Sequence, residues 1–453
     1  MRLTRRQVVA GAGAAALGGS IYELVDRLTR APQRTVAVPK LPVEQHLLEG
    51  QRVVQSNGVE VLVPPLHHRV VTARVAATDL KAAQRDLEQA LAELDRRYSP
   101  TPAGLGVTLA WGLPYFRRHV PQAATKYLPH DLRADKPALL DARRFPSDPS
   151  DAELEQNDVA ILLRSDHLDH IAKAHDVLFG DLEAFRITSI RQGFAGGGFD
   201  GQKSLPKQMA VAAGIPGSDL IPDSAELFLG FTSTQRDSLG PSRIANFETL
   251  GFVVTPGGYF RGGTHMHLSH IEEDLEAWYL TFSFSEQVDT VFRPGLPVRR
   301  GTQTVRQGPH DAATAHSVEN DFKRHGAIGH SASIQSVSRL QAEHLGEDGT
   351  LYRKGTAIPQ RADFNTLDNP FSFPVVPGAQ PMAGVHFVVF NPTSDDFNRG
   401  RLAMDGVLPG GVKLPLSPRS RGQGFNSVLR TTHRQNFLVP PRVHRSFPLA
   451  ELS

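Results

Sequence analysis

Four groups of residues in this chain have side chains suited to chemistry. A glycine-rich run, Gln192-Gly193-Phe194-Ala195-Gly196-Gly197-Gly198-Phe199-Asp200-Gly201, ends on a single carboxylate. No regular element tolerates that glycine density, so it reads as a shaped loop that brings backbone close to a flat ligand while Asp200 projects into the same space. It lacks the Gly-Lys-Ser/Thr of a phosphate loop, and Pro206 is read as breaking any helix after it, which argues against phosphate cradling. His316, His325 and His330 fall in a second stretch that includes Arg324-His325-Gly326-Ala327-Ile328-Gly329-His330. A neutral imidazole on such a glycine-flanked segment can reach a metal or haem iron. Tyr352-Arg353-Lys354-Gly355 sets a cation beside a turn. In Thr264-His265-Met266-His267-Leu268-Ser269-His270, alternation puts His265 and His267 on one strand face, where they could chelate a metal, and His270 on the other.

The 453-residue chain has no cysteine, which removes disulfides, thiolate ligation, iron–sulfur clusters and cysteine nucleophiles together. Any chemistry must use His, carboxylate or Arg. The formal charge of +2 comes from the amino terminus, where five arginines up to Arg30 stand against Glu23 and Asp26. The rest is close to neutral, and no nucleic-acid partner is expected. At the terminus, Thr4-Arg5-Arg6-Gln7-Val8-Val9 precedes an Ala/Gly-rich apolar run from Val8 to Ile21, too short and too weakly apolar to span a membrane. It reads as a twin-arginine leader over residues 1–34, without an Ala-x-Ala site after it. The expected location is periplasmic or extracellular, with no stable membrane span after processing.

These residues need elements to hold them. After an irregular lead-in (35–66), Arg69–Val75 reads as a strand and Thr78-Asp79 caps a helix carrying Leu80, Leu87, Leu91 and Leu94. Leu105–Trp111 is a strand, 112–156 an excursion, Val159–Leu163 a strand, Ser165 caps a helix with Leu168, Ile171 and Leu178, and Phe185–Ile190 is a strand. That order, βαββαβ, is a ferredoxin-like unit. The second half echoes it with strands at Gly263–His270, Gly384–Phe390 and Asn436–Val439, helices at Ile271–Leu280 and Asp395–Met404, and a polar excursion over about 295–380.

In the joint order of its motifs the chain resembles the dye-decolorizing peroxidase family. Gly197-Gly198-Phe199-Asp200-Gly201 stands where that family has Gly-x-x-Asp-Gly. Gly262-Gly263, Asp274–Trp278, Phe284–Gln287, His330, Arg353-Lys354-Gly355, Gly384–Phe390 and Asn436–Pro441 follow in sequence, the likeness running from about residue 55. The resemblance implies an α+β fold of two ferredoxin-like domains with antiparallel sheets (67–191 and 251–453, joined by 192–250) and haem b in the C-terminal half. It makes His330 the iron ligand, Asp200 the acid–base and Arg353 the peroxide-side cation, with Gly197, Gly198, Phe199 and Gly201 lining the cofactor. Hydrogen peroxide and a bulky organic reductant would be its substrates, and a homo-oligomer its assembly. Two departures stand out: Gln202 to Leu205 replaces an expected Asn-Pro, and Ser331-Ala332-Ser333 replaces an expected Arg after the ligand His. His325 is the competing ligand. The alternatives are a non-catalytic haem- or ligand-binding protein on the same scaffold and a non-haem metal protein using His265 and His267.

Overall fold

The computed structural model describes residues 21–28, 44–56, 59–132, 134–180, 182–195, 203–231, 255, 257–296, 298, 313–340, 342–345, 351–367 and 381–453. In the first half, strands with alternating faces are β1 (His67–Val75), β2 (Gly106–Gly112), β3 (Val159–Ser165) and β4 (Phe185–Phe194). They lie in the order β4-β1-β3-β2, antiparallel throughout. Helix α2 (Leu80–Arg97) follows β1, with Asp79 accepting from the backbone N–H groups of Lys81 and Ala82 as N-cap, and α3 (Leu168–His175) follows β3. One face of this sheet (Ala73, Leu109, Trp111, Ile161, Leu163) packs with Leu87, Leu91 and Ile171 of the two helices.

The second half repeats the plan. Its strands are β5 (Thr264–Glu273), β6 (Phe364–Thr366), β7 (Gly384–Asn391) and β8 (Leu429–Val439), ordered β8-β5-β7-β6 and again antiparallel. In each half a register shift falls between the first and last strands, at Thr72/Ala73 and at His270/Ile271. The chain is therefore α+β, built of two ferredoxin-like units.

The two sheets are joined at both edges. β4 meets β6 at Asn365↔Phe194, and β2 meets β8 at Phe437↔Gly112 and Leu438↔Trp111. The eight strands thus close into one antiparallel ring, which abolishes exposed edges. Its interior is filled by Val70, Leu162, Met266, Leu268, Phe364, Val388, Phe390 and Phe437. Polar groups lie alongside: Arg191 is bidentate on Glu155 at 2.6 Å and 2.6 Å, and His68 and His386 flank the Phe364 ring at 4.9 Å and 5.1 Å.

Several expectations shift. The strand before α5 (Leu275–Thr281) runs on to Glu273, so no helix begins at Ile271. The excursion around 295–380 contains α7 (Ala315–His325), α8 (His330–Ser338) and strand β6. Helix α4 (Leu205–Ala213) forms despite Pro206, because the proline sits in the first turn, where its missing N–H is needed by nothing, and Ser204 Oγ accepts from Lys207 N as cap. Helices α6 (Phe284–Val291) and α9 (Ser394–Met404) complete the second half. The segment Ile21–Leu28, inside the expected leader, is folded, with α1 (Glu23–Leu28) packed into the core. Residues 1–20 lie outside the described residues.

Two predictions follow from closure and burial. A Cβ on Gly193 would sit 2.0 Å from the Asn365 carbonyl at the β4–β6 join, so Gly193→Ala is expected to cost about 1–3 kcal/mol by overpacking. Gly400→Ala in α9, where a Cβ meets nothing, should gain roughly 0.5–1 kcal/mol. Denaturant titration of both variants checks this. Burial pushes His46 and His270 down to about 3 and His265 to about 4, and holds His68, His267 and His386 well below the ordinary 6.5. Each is neutral when folded and binds a proton once unfolded, so the stability they contribute is full above pH 6.5 and is lost progressively as pH falls toward 3. Unfolding at pH 5 should take up several protons, measurable as a steep pH dependence of the denaturation midpoint.

Candidate functional site

His330 opens α8, and its position is set by close backbone packing. Gly329 is the N-cap residue, and a Cβ there would lie 2.3 Å from the Phe292 carbonyl, so only glycine fits. Ala332 N donates to that same carbonyl at 3.1 Å, and Ile328 N to Gly422 O at 2.8 Å. Gly424 stands at φ 62 and ψ −140, a conformation that favours glycine, and a Cβ added there would lie 3.4 Å from the His330 amide nitrogen. The imidazole lies 4.5 Å from the Phe425 ring. Its Nδ1 is buried without a hydrogen-bond partner, while the residue as a whole keeps accessible surface. Burial, then the positive charges of Arg361 and Arg401, push its pKa down to about 3. At neutral pH the ring is an uncharged donor with a lone pair to offer.

Arg361 and Asp363 precede β6 and alternate with Ala362 and Phe364, which face the ring interior. The cation and carboxylate therefore stand on the outer face of the second sheet. They form a two-pronged pair, Nε–Oδ1 3.0 Å and Nη2–Oδ2 3.0 Å. Burial opposes the Arg361 charge, but Asp363 and Glu226 outweigh it and the pKa is raised. Its side chain nonetheless keeps 30% of its surface. Arg401, on α9, is committed elsewhere, to Asp148 at 3.2 Å and Asp405 at 3.1 Å.

Glu273, at the end of β5, faces the Asp363 carboxylate. Burial and then the Asp363 carboxylate push its pKa up to about 8, and its Oε2 is buried without a partner. It is a carboxylic acid near neutrality. Neither Arg361 nor Glu273 stands out in the sequence. The available signal for Arg361 was its alternation with apolar Ala362 and Phe364, which marks a strand with one polar face.

The expected site residues fare differently. Asp200, Gly197, Gly198, Phe199 and Gly201 lie outside the described residues. The chain is described up to Ala195, whose N–H binds Leu66 O at 2.9 Å, and again from Lys203. Arg353 is exposed on the turn closed by Thr356 N to Arg353 O at 3.0 Å, and the charges acting on His330 come from Arg361 and Arg401 instead. His316 and His325 are exposed, so His330 is the enclosed member of its set. The His265/His267 chelate is not built: His267 uses Nδ1 on Asn436 at 2.7 Å and Nε2 on Ser269 at 2.6 Å, and His265 Nδ1 bonds Pro392 O at 2.8 Å. His267 has no lone pair left for a metal. Among the described residues, no group of three or more His, Cys, Asp or Glu could hold one.

Fold and site together define a double ferredoxin-like ring with a polar, histidine-bearing outer face on its second sheet. Over residues 65–441 the chain matches, and belongs to, the family described as "Family of unknown function (DUF7405)". No curated protein matches it. Among solved structures it is similar to a dye-decolorizing peroxidase from Bacteroides thetaiotaomicron, with 14% identity, 87% of this chain and 97% of that one covered, and TM-score 0.49. It is also similar to a DyP-type peroxidase from Cellulomonas bogoriensis, at 17% identity, 90% and 95% coverage and TM-score 0.48. A Rhodococcus jostii RHA1 DypB variant in complex with heme shows 12% identity, 84% and 96% coverage and TM-score 0.48.

The Glu273 environment yields a signed pH prediction. Its folded pKa of about 8 lies above the ordinary 4.5, so the stability it contributes is full below pH 4.5 and is lost as pH rises through 8. Glu273→Gln, which keeps the shape and cannot ionise, should be more resistant to denaturant than the wild type above pH 8, with the gap closing toward pH 4.5.

Proposed function

We propose that this protein is a haem-dependent peroxidase that uses hydrogen peroxide to oxidise bulky organic compounds by one-electron steps. The observation that carries the reading is His330, a half-buried, uncharged imidazole within reach of the Arg361 charge. The residues present fit the cofactor: an imidazole with an unengaged Nδ1 can turn its other nitrogen to iron, and a half-buried cation can meet a propionate or a peroxide anion. Haem, when bound, supplies the redox centre at which peroxide is reduced to water while the reductant is oxidised. His330 holds and orients the iron. Arg361 takes the place that the sequence suggested for Arg353 and stabilises negative charge on peroxide oxygen. Asp200, assigned from the Gly-x-x-Asp-Gly resemblance, moves a proton from one peroxide oxygen to the other. Export by the twin-arginine route, with folding and cofactor loading before translocation, rests on Arg5 and Arg6. No helix of the described residues is long and apolar enough to cross a membrane.

A second reading is favoured by one observation. The charges that bear on His330 are both positive, whereas a strongly electron-donating imidazole has an acceptor on its second nitrogen. A haem-binding protein with little turnover would have this arrangement.

Absorption spectra of the protein purified from haem-replete cells separate the readings. The peroxidase requires a Soret band that is lost in His330→Ala, together with turnover of a dye. Arg361→Ala should keep the band but lower kcat/KM for peroxide by roughly 10²–10³-fold, the scale of a lost charge-stabilising donor, whereas Arg353→Ala should leave it unchanged. A band without turnover selects the binding protein, and a His330→Ala protein with full turnover removes both.

A further inference from the structure

The folded segment at the amino terminus, Ile21–Leu28, sits where the ring is weakest. Tyr22 and Val25 are 2% and 0% exposed, packed among Phe194, Leu205, Met209 and Phe228. The Tyr22 ring lies 6.3 Å from that of Phe194. Its hydroxyl is 3.1 Å from Thr366 Oγ1 and accepts from Leu367 N at 3.1 Å. Thr366 Oγ1 in turn donates to Gln192 O at 2.9 Å, so the Tyr22 hydroxyl gives its proton to Thr366. These bonds connect β6 to β4, the join with a single register pair. Asp26 adds a third attachment, Oδ1 to His67 Nε2 at 2.6 Å, on the first residue of β1. One short segment thus holds three successive strands, β6, β4 and β1.

That arrangement conflicts with a leader that is removed as far as residue 34. A cut there would take Tyr22 and Val25 from a packed core, leave a cavity beside Phe194 and Met209, and remove the hydroxyl that meets Thr366 Oγ1 and accepts from Leu367 N. We propose that Ile21–Leu28 is retained in the functional protein as a clasp across the β4–β6 join, so that any leader cleavage falls on the amino-terminal side of Ile21. The cleavage limit rests on the export reading; the clasp does not. The recognition segment Thr4–Val9 and most of the apolar run precede Ile21, so a cut between them and the clasp separates targeting from folding without loss of either.

Two measurements test the proposal. The first is the intact mass of the protein recovered outside the cytoplasm. A mature terminus at or before Ile21 supports the clasp, and one beyond Leu28 overturns it. The second compares chains made in the cytoplasm that begin at Ile21 and at Thr35. The former should unfold like the full chain, and the latter several degrees lower, with faster proteolysis; equal midpoints overturn the proposal. Should the shorter chain fail to fold at all, full-length Tyr22→Phe, which keeps the ring and loses the hydroxyl bridge, should still lower the midpoint, and an unchanged midpoint overturns the bridge. If no exported form is recovered, the export reading falls and the truncation pair alone decides the clasp.

Discussion

Closing two four-stranded sheets into one ring governs everything else in this molecule. Each half alone would present open edges, and the joins that remove them are short: one register pair between β4 and β6 and two between β2 and β8. Backbone pairing this sparse cannot hold a ring by itself. The joins are held by what crosses them: Gly193 letting the Asn365 carbonyl approach, Gly112 doing the same for Asn157 and Gln435, and Thr366 Oγ1, itself met by the Tyr22 hydroxyl, donating from β6 to Gln192 O on β4. Closure also fills the space between the sheets with side chains from both halves, so a ligand site has to be built outside the ring, against one of its outer faces.

Burying so many ionisable groups sets limits at both ends of the pH scale. Imidazoles in and around the ring are kept neutral by burial, and acid therefore favours the unfolded chain. Glu273 is kept protonated by burial and by the Asp363 carboxylate, and base acts the same way. The window between is where the fold is at its most stable.

The first ferredoxin-like unit was legible because its strands alternate cleanly and its helices carry leucines at helical spacing. Asp79 capped the helix as its type suggested. The second unit was legible at β5, β7, α9 and the last residues of β8. Strand β6 has three residues, fewer than any periodicity can register, and α7 and α8 run through Gly-, Ser- and charge-rich sequence whose helicity comes from packing against α9. With β6 unseen, Arg361 had no face to be assigned to. Pro206 misled for a related reason: its effect depends on where the helix starts, and the Ser204 cap moves the start to just before it. Tyr22 lay just past the apolar run, inside the stretch that reads as a leader, and burial in a distant core leaves no local mark. Asp200 rests on its motif.

The difference between the two units explains why the site lies in the second. Topology is the same in both: four antiparallel strands, helices outside, the inner face given to the ring. In the first unit the outer positions are Ala73, Leu109, Trp111, Ile161 and Leu163, and α2 and α3 seal them with leucines. The equivalent positions in the second unit are His265, His267, Ser269, Arg434, Asn436, Arg361 and Asp363. These side chains have little or no contact with water, apart from Arg361, and most are satisfied by one another or by backbone. A polar face under helices costs stability that an apolar one would supply. Nothing in ring closure demands it, since the first unit closes the same ring with a sealed face. The polarity is therefore a property of the second unit's own side chains and not of the ring.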